Sequence, residues 1–276
     1  MDSPKAIKRV QSASSINTFK QCPRKYFYQY VLALPIVENI YQIRGNIAHD
    51  ALEHFFQINI NHINEKNFEK ELKIAMQELL IFHWRKEKER LDKLKLEPAK
   101  IKFYFEETLH MLIGWVDLFC KKIKTTKKSF KDAFEFLTPI AEQYFISNKY
   151  GVQGYMDAIE IQEGHTRIMD YKTSSKNELT DEYLLQLAIY VLLYEEKYKK
   201  FPDEVGLYLL KHGEKSIKAD ENLLKLAKKE ILAVHERTQS EEIEDYPKKE
   251  GPLCKWSSGK CDFYDICFGQ KKVKDF

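Results

Sequence analysis

Apolar residues recur three and four apart through the first half of the chain and two apart from Ile140 onward, which separates a helical part from a sheet part. Ser14 and Ser15 stand before Ile16, Phe19, Tyr26, Phe27, Tyr30 and Val31, predicting a capped helix of roughly four turns ending near Pro35. A second helix is expected from Tyr41 to Asn61, with Ile47, Leu52, Phe55 and Phe56 as its buried stripe and His49 and Glu53 on one face. From Asn67 to Lys131, Lys and Glu interleave with Leu and Ile at helical spacing, and Pro98 marks a break between two long helices. Ile140–Ser147, Gly151–Ile161 and Thr166–Thr173 read as strands rich in β-branched and aromatic residues. An amphipathic helix Asp181–Lys199, a strand Glu204–Leu210 and a helix Asp220–Thr238 follow. The order β-β-β-α-β-α predicts an α/β fold, a mixed β-sheet flanked by helices over residues 134–240, behind an N-terminal helical lobe over 39–131. The whole of 1–276 reads as one domain, ending in a cysteine-rich tail from Pro247.

With 276 residues and 43% hydrophobic content, there is ample material for a core. The balance of 45 Lys+Arg against 42 Asp+Glu leaves a net charge of only +3, so nucleic-acid affinity has to come from local clustering. Residues 1–13 lack the apolar core of a secretory signal, and no segment approaches the ~20 apolar residues of a membrane span. The expectation is a cytoplasmic protein without a membrane partner, in which five cysteines serve as ligands or core groups and not as disulfides. Neither a G-x-x-x-x-G-K-[ST] loop nor a G-x-G-x-x-G turn occurs, which excludes nucleotide-driven motors of those types.

Glu163-Gly164 predicts a two-residue hairpin turn, so cross-strand partners are residues whose numbers add to 327, and Asp157 and Asp170 form such a pair. Their Cβ atoms then lie roughly 5 Å apart on one face, where two carboxylates repel unless a proton or cation separates them. Hard divalent ions, Mg2+ or Mn2+, suit that position. Lys172, two residues beyond Asp170, returns to the same face, where its ammonium can orient or deprotonate the attacking water or neutralise a phosphate. The bland alternative is a solvated Asp/Lys pair on an exposed sheet face. Asp117, in a similar G-W-V-D, sits in a helical stretch and is set aside as a decoy.

These residues resemble the RecB-like and CRISPR-associated exonuclease branch of the PD-(D/E)XK nuclease superfamily. The likeness covers most of the chain, through SSINTFKQCPRKYFYQY, RGNIAHDALEHFF, GVQGYMDAIEI, IMDYKTSS and LLQLAIYVLLY. It implies a restriction-endonuclease-like core in which His49, Asp157 and Asp170 bind metal, the backbone carbonyl of Tyr171 is a further ligand, and Lys172 is the motif lysine. Gln186 and Tyr190 match a Q-x-x-x-Y motif one turn apart, facing substrate or bracing the site. Glu53 and Glu142 are lesser candidates near the metal.

Cys22, Cys254, Cys261 and Cys267 can supply four thiolates, enough for a [4Fe–4S] cluster or a Zn2+ site, and would clasp residues 1–35 to 247–276. The resemblance favours iron–sulfur, although six residues between Cys254 and Cys261 depart from its closer spacing. Cys120 is assigned to the core. The implied function is metal-dependent DNA hydrolysis, as an exonuclease on single-stranded ends or flaps, with a helicase or CRISPR-adaptation partner. Arg24, Lys25, Lys255, Lys260, Lys271 and Lys272 are candidate backbone contacts, with Tyr26 and Trp256 available for stacking. The alternatives are a non-catalytic nucleic-acid-binding or scaffold module with the same fold, and a nuclease directed at RNA.

Overall fold

Residues 7–257 and 259–270 are described in the computed structural model of the chain; Lys271 and Lys272 lie outside them. Ser12 caps the first helix, α1 (Ala13–Gln21), accepting from the Ser15 amide while the Ser15 hydroxyl accepts from the Ser12 N–H. The expected four-turn helix does not continue to Pro35. Pro23 disfavours helical geometry at the preceding residue, and Cys22 is extended at φ −160° and ψ 114°. The chain resumes in α2 (Pro23–Tyr26) and a π-helical turn over Phe27–Val31. α3 (Ile40–Phe55), capped by Asn39, stops at Phe55 and not at Asn61. The helical lobe continues with α4 (Phe68–Lys86), α5 (Lys88–Lys93), α6 (Pro98–Thr125) and α7 (Phe130–Leu137). Pro98 opens α6, where its missing N–H would have no helical acceptor anyway.

The sheet runs β1 (Ile140–Ser147), β2 (Val152–Gln162), β3 (His165–Lys172), β4 (Glu204–Leu209) and β5 (Gly213–Lys218) in spatial order. Among the described residues the β3–β4 strand pair of this sheet is parallel and its other strand pairs are antiparallel, and α8 (Asp181–Tyr198) is the crossover. α9 (Glu221–Arg237) follows β5. β5 was not expected: its sequence GEKSIK offers no apolar face, as befits an edge strand whose Lys and Glu discourage further pairing. The order is therefore β-β-β-α-β-β-α. Glu163 and Gly164 both have positive φ, 51° and 85°, and the pairs Gln162↔His165, Ile161↔Thr166 and Ala158↔Met169 have the expected register. The tail adds a small hairpin of β6 (Lys255–Trp256) and β7 (Gly259–Lys260), then α10 (Tyr264–Cys267).

Each face of the sheet carries its own apolar layer. Ile16, Phe19, Leu185, Ile189 and Ile231 pack with Met156, Ile168, Val205 and Leu207 on one side. Ile47, Phe55, Met76, Trp115 and Phe134 pack with Ala158, Met169, Tyr171 and Tyr208 on the other. Burying each such side chain contributes on the order of 1.5–3 kcal/mol, enough to fix α3 and α8 against opposite faces of the same strands. Cys120 is buried in the second layer, as expected, and its thiol is pushed up to about 12 by burial. Among the described residues no helix is long and apolar enough to cross a membrane.

Gln11 ties α1 to the sheet, donating its N–H to the Gly151 carbonyl at 2.8 Å and accepting from the Gln153 amide at 2.8 Å. His235 of α9 closes the same corner, its Nε2 lying 2.9 Å from the Tyr150 carbonyl. Gly151 has φ 59°, and an added Cβ would sit 2.6 Å from Ile7 Cγ2 and 2.9 Å from His235 Nε2. Gly151→Ala is expected to lose about 1–3 kcal/mol in urea unfolding. Burial holds the His235 imidazole below its ordinary value of 6.5 despite the two carbonyls, and Nδ1 is buried without a partner. The unfolded chain therefore binds the proton first as pH falls through 6.5, so this contribution is present above that pH and declines below it. The melting temperature should drop on acidification from about pH 7 to 5, and less steeply in His235→Gln, which keeps a donor.

Candidate active site

An irregularity in β2 creates the site. Met156 and Ile159, three apart, pack in the same apolar layer, which straight strand alternation forbids. Between them, β1–β2 pairing passes from Gln143↔Met156 to Ala141↔Ala158 without joining Glu142 to Asp157, and Glu142 takes φ 46°. Such local strain gathers where a side chain must be re-aimed. As a result, one donor atom each from His49, Glu142 and Asp157 lies within 4.8 Å of the others.

The remaining groups come from β3 and α8. Asp157 Oδ2 accepts from the Tyr171 amide at 2.7 Å and lies 3.2 Å from His49 Nδ1. Asp170 Oδ1 accepts from Gln186 Nε2 at 2.7 Å and from the Tyr190 hydroxyl at 2.9 Å, so the Q-x-x-x-Y pair of α8 braces this carboxylate. Lys172 Nζ lies 2.5 Å from Asp170 Oδ2 and over the Tyr183 ring. His49 stands edge-on to the Tyr171 ring, which stacks on Tyr208. His49, Asp157, Asp170, Lys172, Gln186 and Tyr190 together line a cleft of about 580 Å³ between α3, α8 and the ends of β2 and β3.

Burial raises the Asp170 carboxyl above its usual value, and the Asp157 charge adds to that. Burial and then Asp157 push Glu142 up to about 7. At Asp157 burial is outweighed by the His49 charge and hydrogen bond, which hold its carboxyl low. Burial disfavours the His49 imidazolium, yet Asp157 overrides it and brings the group up to about 9. For Lys172, too, burial opposes the charge and Asp170 prevails, so the ammonium is retained. The cluster as a whole draws positive charge toward its buried carboxylates. Asp170 Oδ2 is buried without a hydrogen bond of normal geometry, and the donor set of one imidazole and hard carboxylate oxygens fits a divalent ion.

Glu142 is the residue that sequence reasoning underweighted, because nothing in β1 announces the positive φ that delivers it. The polar face of α1 that lines the cleft, Ser14, Asn17, Thr18 and Gln21, was also missed, although its helical spacing was legible. Glu53 lies near enough for its charge to bear on Glu142. Asp117 pairs with Lys73 at 2.6 Å on α6, outside the cleft as expected. Tyr26, offered above for base stacking, is buried and bonded to Gln11, so that role is withdrawn. Arg24 and Lys25 do not reach the cleft: Arg24 Nε donates to the Tyr246 carbonyl at 2.7 Å, and both line a second cavity.

That second cavity, about 420 Å³, is lined by Cys22, Cys254, Cys261 and Cys267. The β6–β7 hairpin folds away the long spacing between Cys254 and Cys261, whose backbones meet through an N–H to carbonyl bond of 2.9 Å. Pro23 exposes Cys22 to the same space by breaking the helix there. Among the described residues no three of these sulfurs lie within 4.8 Å of one another.

A model of the PD-(D/E)XK nuclease superfamily matches residues 11–268. The chain belongs to that superfamily, and its mixed sheet flanked by helices is a restriction-endonuclease-like core. A crystal structure from Eubacterium rectale, of a protein assigned as an exonuclease, is similar over 98% of this chain and 91% of that one. Its TM-score is 0.54 at 12% identity, a likeness of fold. No curated protein matches the chain. The superfamily is one of hydrolytic nucleases, a class that uses divalent metals. Glu142→Ala should weaken Mn2+ binding in isothermal titration by about 10-fold or more, while Glu53→Ala, outside the three-donor group, leaves it unchanged.

Proposed function

We propose that this protein is a Mg2+- or Mn2+-dependent deoxyribonuclease of the RecB-like and CRISPR-associated branch, acting as an exonuclease on single-stranded ends or flaps. The observation that carries this reading is the convergence of His49, Glu142, Asp157, Asp170 and Lys172 from three strands and a helix at one cleft. Five groups are gathered there at a cost in buried charge that a scaffold would have no reason to bear. Asp157, Asp170, Glu142 and His49, with the Tyr171 carbonyl, would hold the ion or ions, which supply Lewis acidity to the phosphate and lower the pKa of water. Lys172, kept charged beside Asp170 in spite of its burial, would orient the nucleophile and offset charge on the phosphate. Gln186 and Tyr190 fix Asp170 through Oδ1, and its second oxygen faces the Lys172 ammonium.

We assign Cys22, Cys254, Cys261 and Cys267 to a [4Fe–4S] cluster that clasps the two ends of a single domain. A Zn2+ tetrahedron with ~2.3 Å bonds needs its sulfurs within about 4 Å of one another. The four thiols line one cavity, and the family resemblance favours the cluster. On this reading the protein works inside the cell on ends supplied by a helicase or during CRISPR adaptation.

Purified protein should degrade single-stranded DNA in Mn2+ or Mg2+, faster than duplex or RNA, and Asp170→Ala should lower the rate by at least about 10³-fold. An inactive wild type across all three substrates would defeat the nuclease reading. A brown anaerobic preparation absorbing near about 400 nm, bleached in Cys261→Ala, tests the cluster. Stoichiometric zinc in a colourless preparation would replace it.

A further inference from the structure

The two walls of the catalytic cleft differ in chemistry. α1 lines one with Ser14, Asn17, Thr18 and Gln21, a single polar helix face. β2 lines the other with Gln153 and Tyr155, and Tyr155 is 58% exposed although it shares this wall with Asp157. Tyr155 lies directly across from Tyr144 of β1, the rings 5.0 Å apart. The Tyr144 hydroxyl donates to Gln153 Oε1 at 2.8 Å, so the hydroxyl is already satisfied and the ring is held in place. A large aromatic left this open contributes little to the core, and a cross-strand pair occupies only one face of each ring.

We propose that Tyr155, backed by Tyr144, is the platform on which an unpaired nucleobase stacks next to the phosphate to be cut. The proposal rests on the nuclease reading above and adds the reason for strand selectivity. Tyr155 stands two residues from Asp157, about 7 Å along the strand, close enough for base and phosphate of one nucleotide region to be held together. Bases inside a duplex are already stacked and cannot reach such a platform, whereas a single strand offers a π-face at every position. The polar α1 face then lies on the side available to sugar and phosphate oxygens. β1 is also a sheet edge with exposed Ile140 and Ile146, features that would suit a protein strand. Those two side chains lie outside the cleft, while both Tyr155 and Gln153 are part of it, which favours nucleic acid.

The test compares wild type, Tyr155→Ala, Tyr155→Phe and Tyr144→Ala on an oligothymidylate and on a strand of equal length with abasic positions, in Mn2+. Tyr155→Ala should raise KM for the oligothymidylate about 10-fold with little change in kcat, and Tyr155→Phe should restore it. On the abasic strand, wild type and Tyr155→Ala should be equal. Circular-dichroism melting confirms that the variants fold. Anisotropy of a labelled oligothymidylate bound to Asp170→Ala, with and without Tyr155→Ala, repeats the comparison without turnover. Weaker binding by the double variant supports the platform even if no cleavage is seen, in which case only the nuclease reading fails. Unchanged KM and unchanged binding in Tyr155→Ala overturn the platform, leave the nuclease reading standing where wild type cleaves, and assign the exposed tyrosines to a protein at the β1 edge.

Discussion

Buried negative charge at the end of β2 and β3 is the constraint to which the rest of the molecule answers. Asp170 is 2% exposed and Asp157 8%, and Glu142 comes in beside them. Carboxylates placed so close, and so poorly hydrated, repel strongly unless positive charge lies among them. His49 and Lys172 provide part of it, and both are held protonated more firmly than in water by the acids they face. A region with this appetite for cations is unfavourable for folding and favourable for binding a divalent ion.

Maintaining that region requires rigid support from two directions. α3 is anchored in the layer of Phe55, Trp115 and Phe134 and carries His49 on its other side. α8 is packed nearly all round, so Gln186 and Tyr190 reach Asp170 from a helix with little freedom to shift. Tyr171 links the two arrangements: its ring is sealed against His49 and Tyr208 while its amide fixes Asp157. The strain at Glu142, with φ 46°, is tolerated because the paired residues on either side keep their register.

The chain ends approach each other by the same economy of local geometry. Pro23 breaks a helix at Cys22, and a short hairpin brings Cys254 to Cys261, so thiols far apart in sequence line one cavity. Asn17, Gln21 and Glu182 border both this cavity and the catalytic cleft. The placement of α1 therefore bears on both sites at once, and Gln11 secures it to β2.

Local chemistry determined most of the architecture. Hydrophobic period separated the helical lobe from the sheet, and the Glu163-Gly164 turn set the β2–β3 register because a two-residue loop leaves no other pairing. It likewise made Asp157, Asp170 and Lys172 nameable as a group, since alternation is a property of sequence, whereas His49 joined them only through the family resemblance. β5 was illegible because an edge strand with charged side chains has no apolar face to betray it. Glu142, the burial of Tyr26 and the distance of Arg24 and Lys25 from the cleft were decided only by tertiary structure. Each depends on which elements pack together and on a backbone distortion those contacts enforce. Neither is encoded in any short window of residues; the aim of a side chain is settled by neighbours far away in the chain.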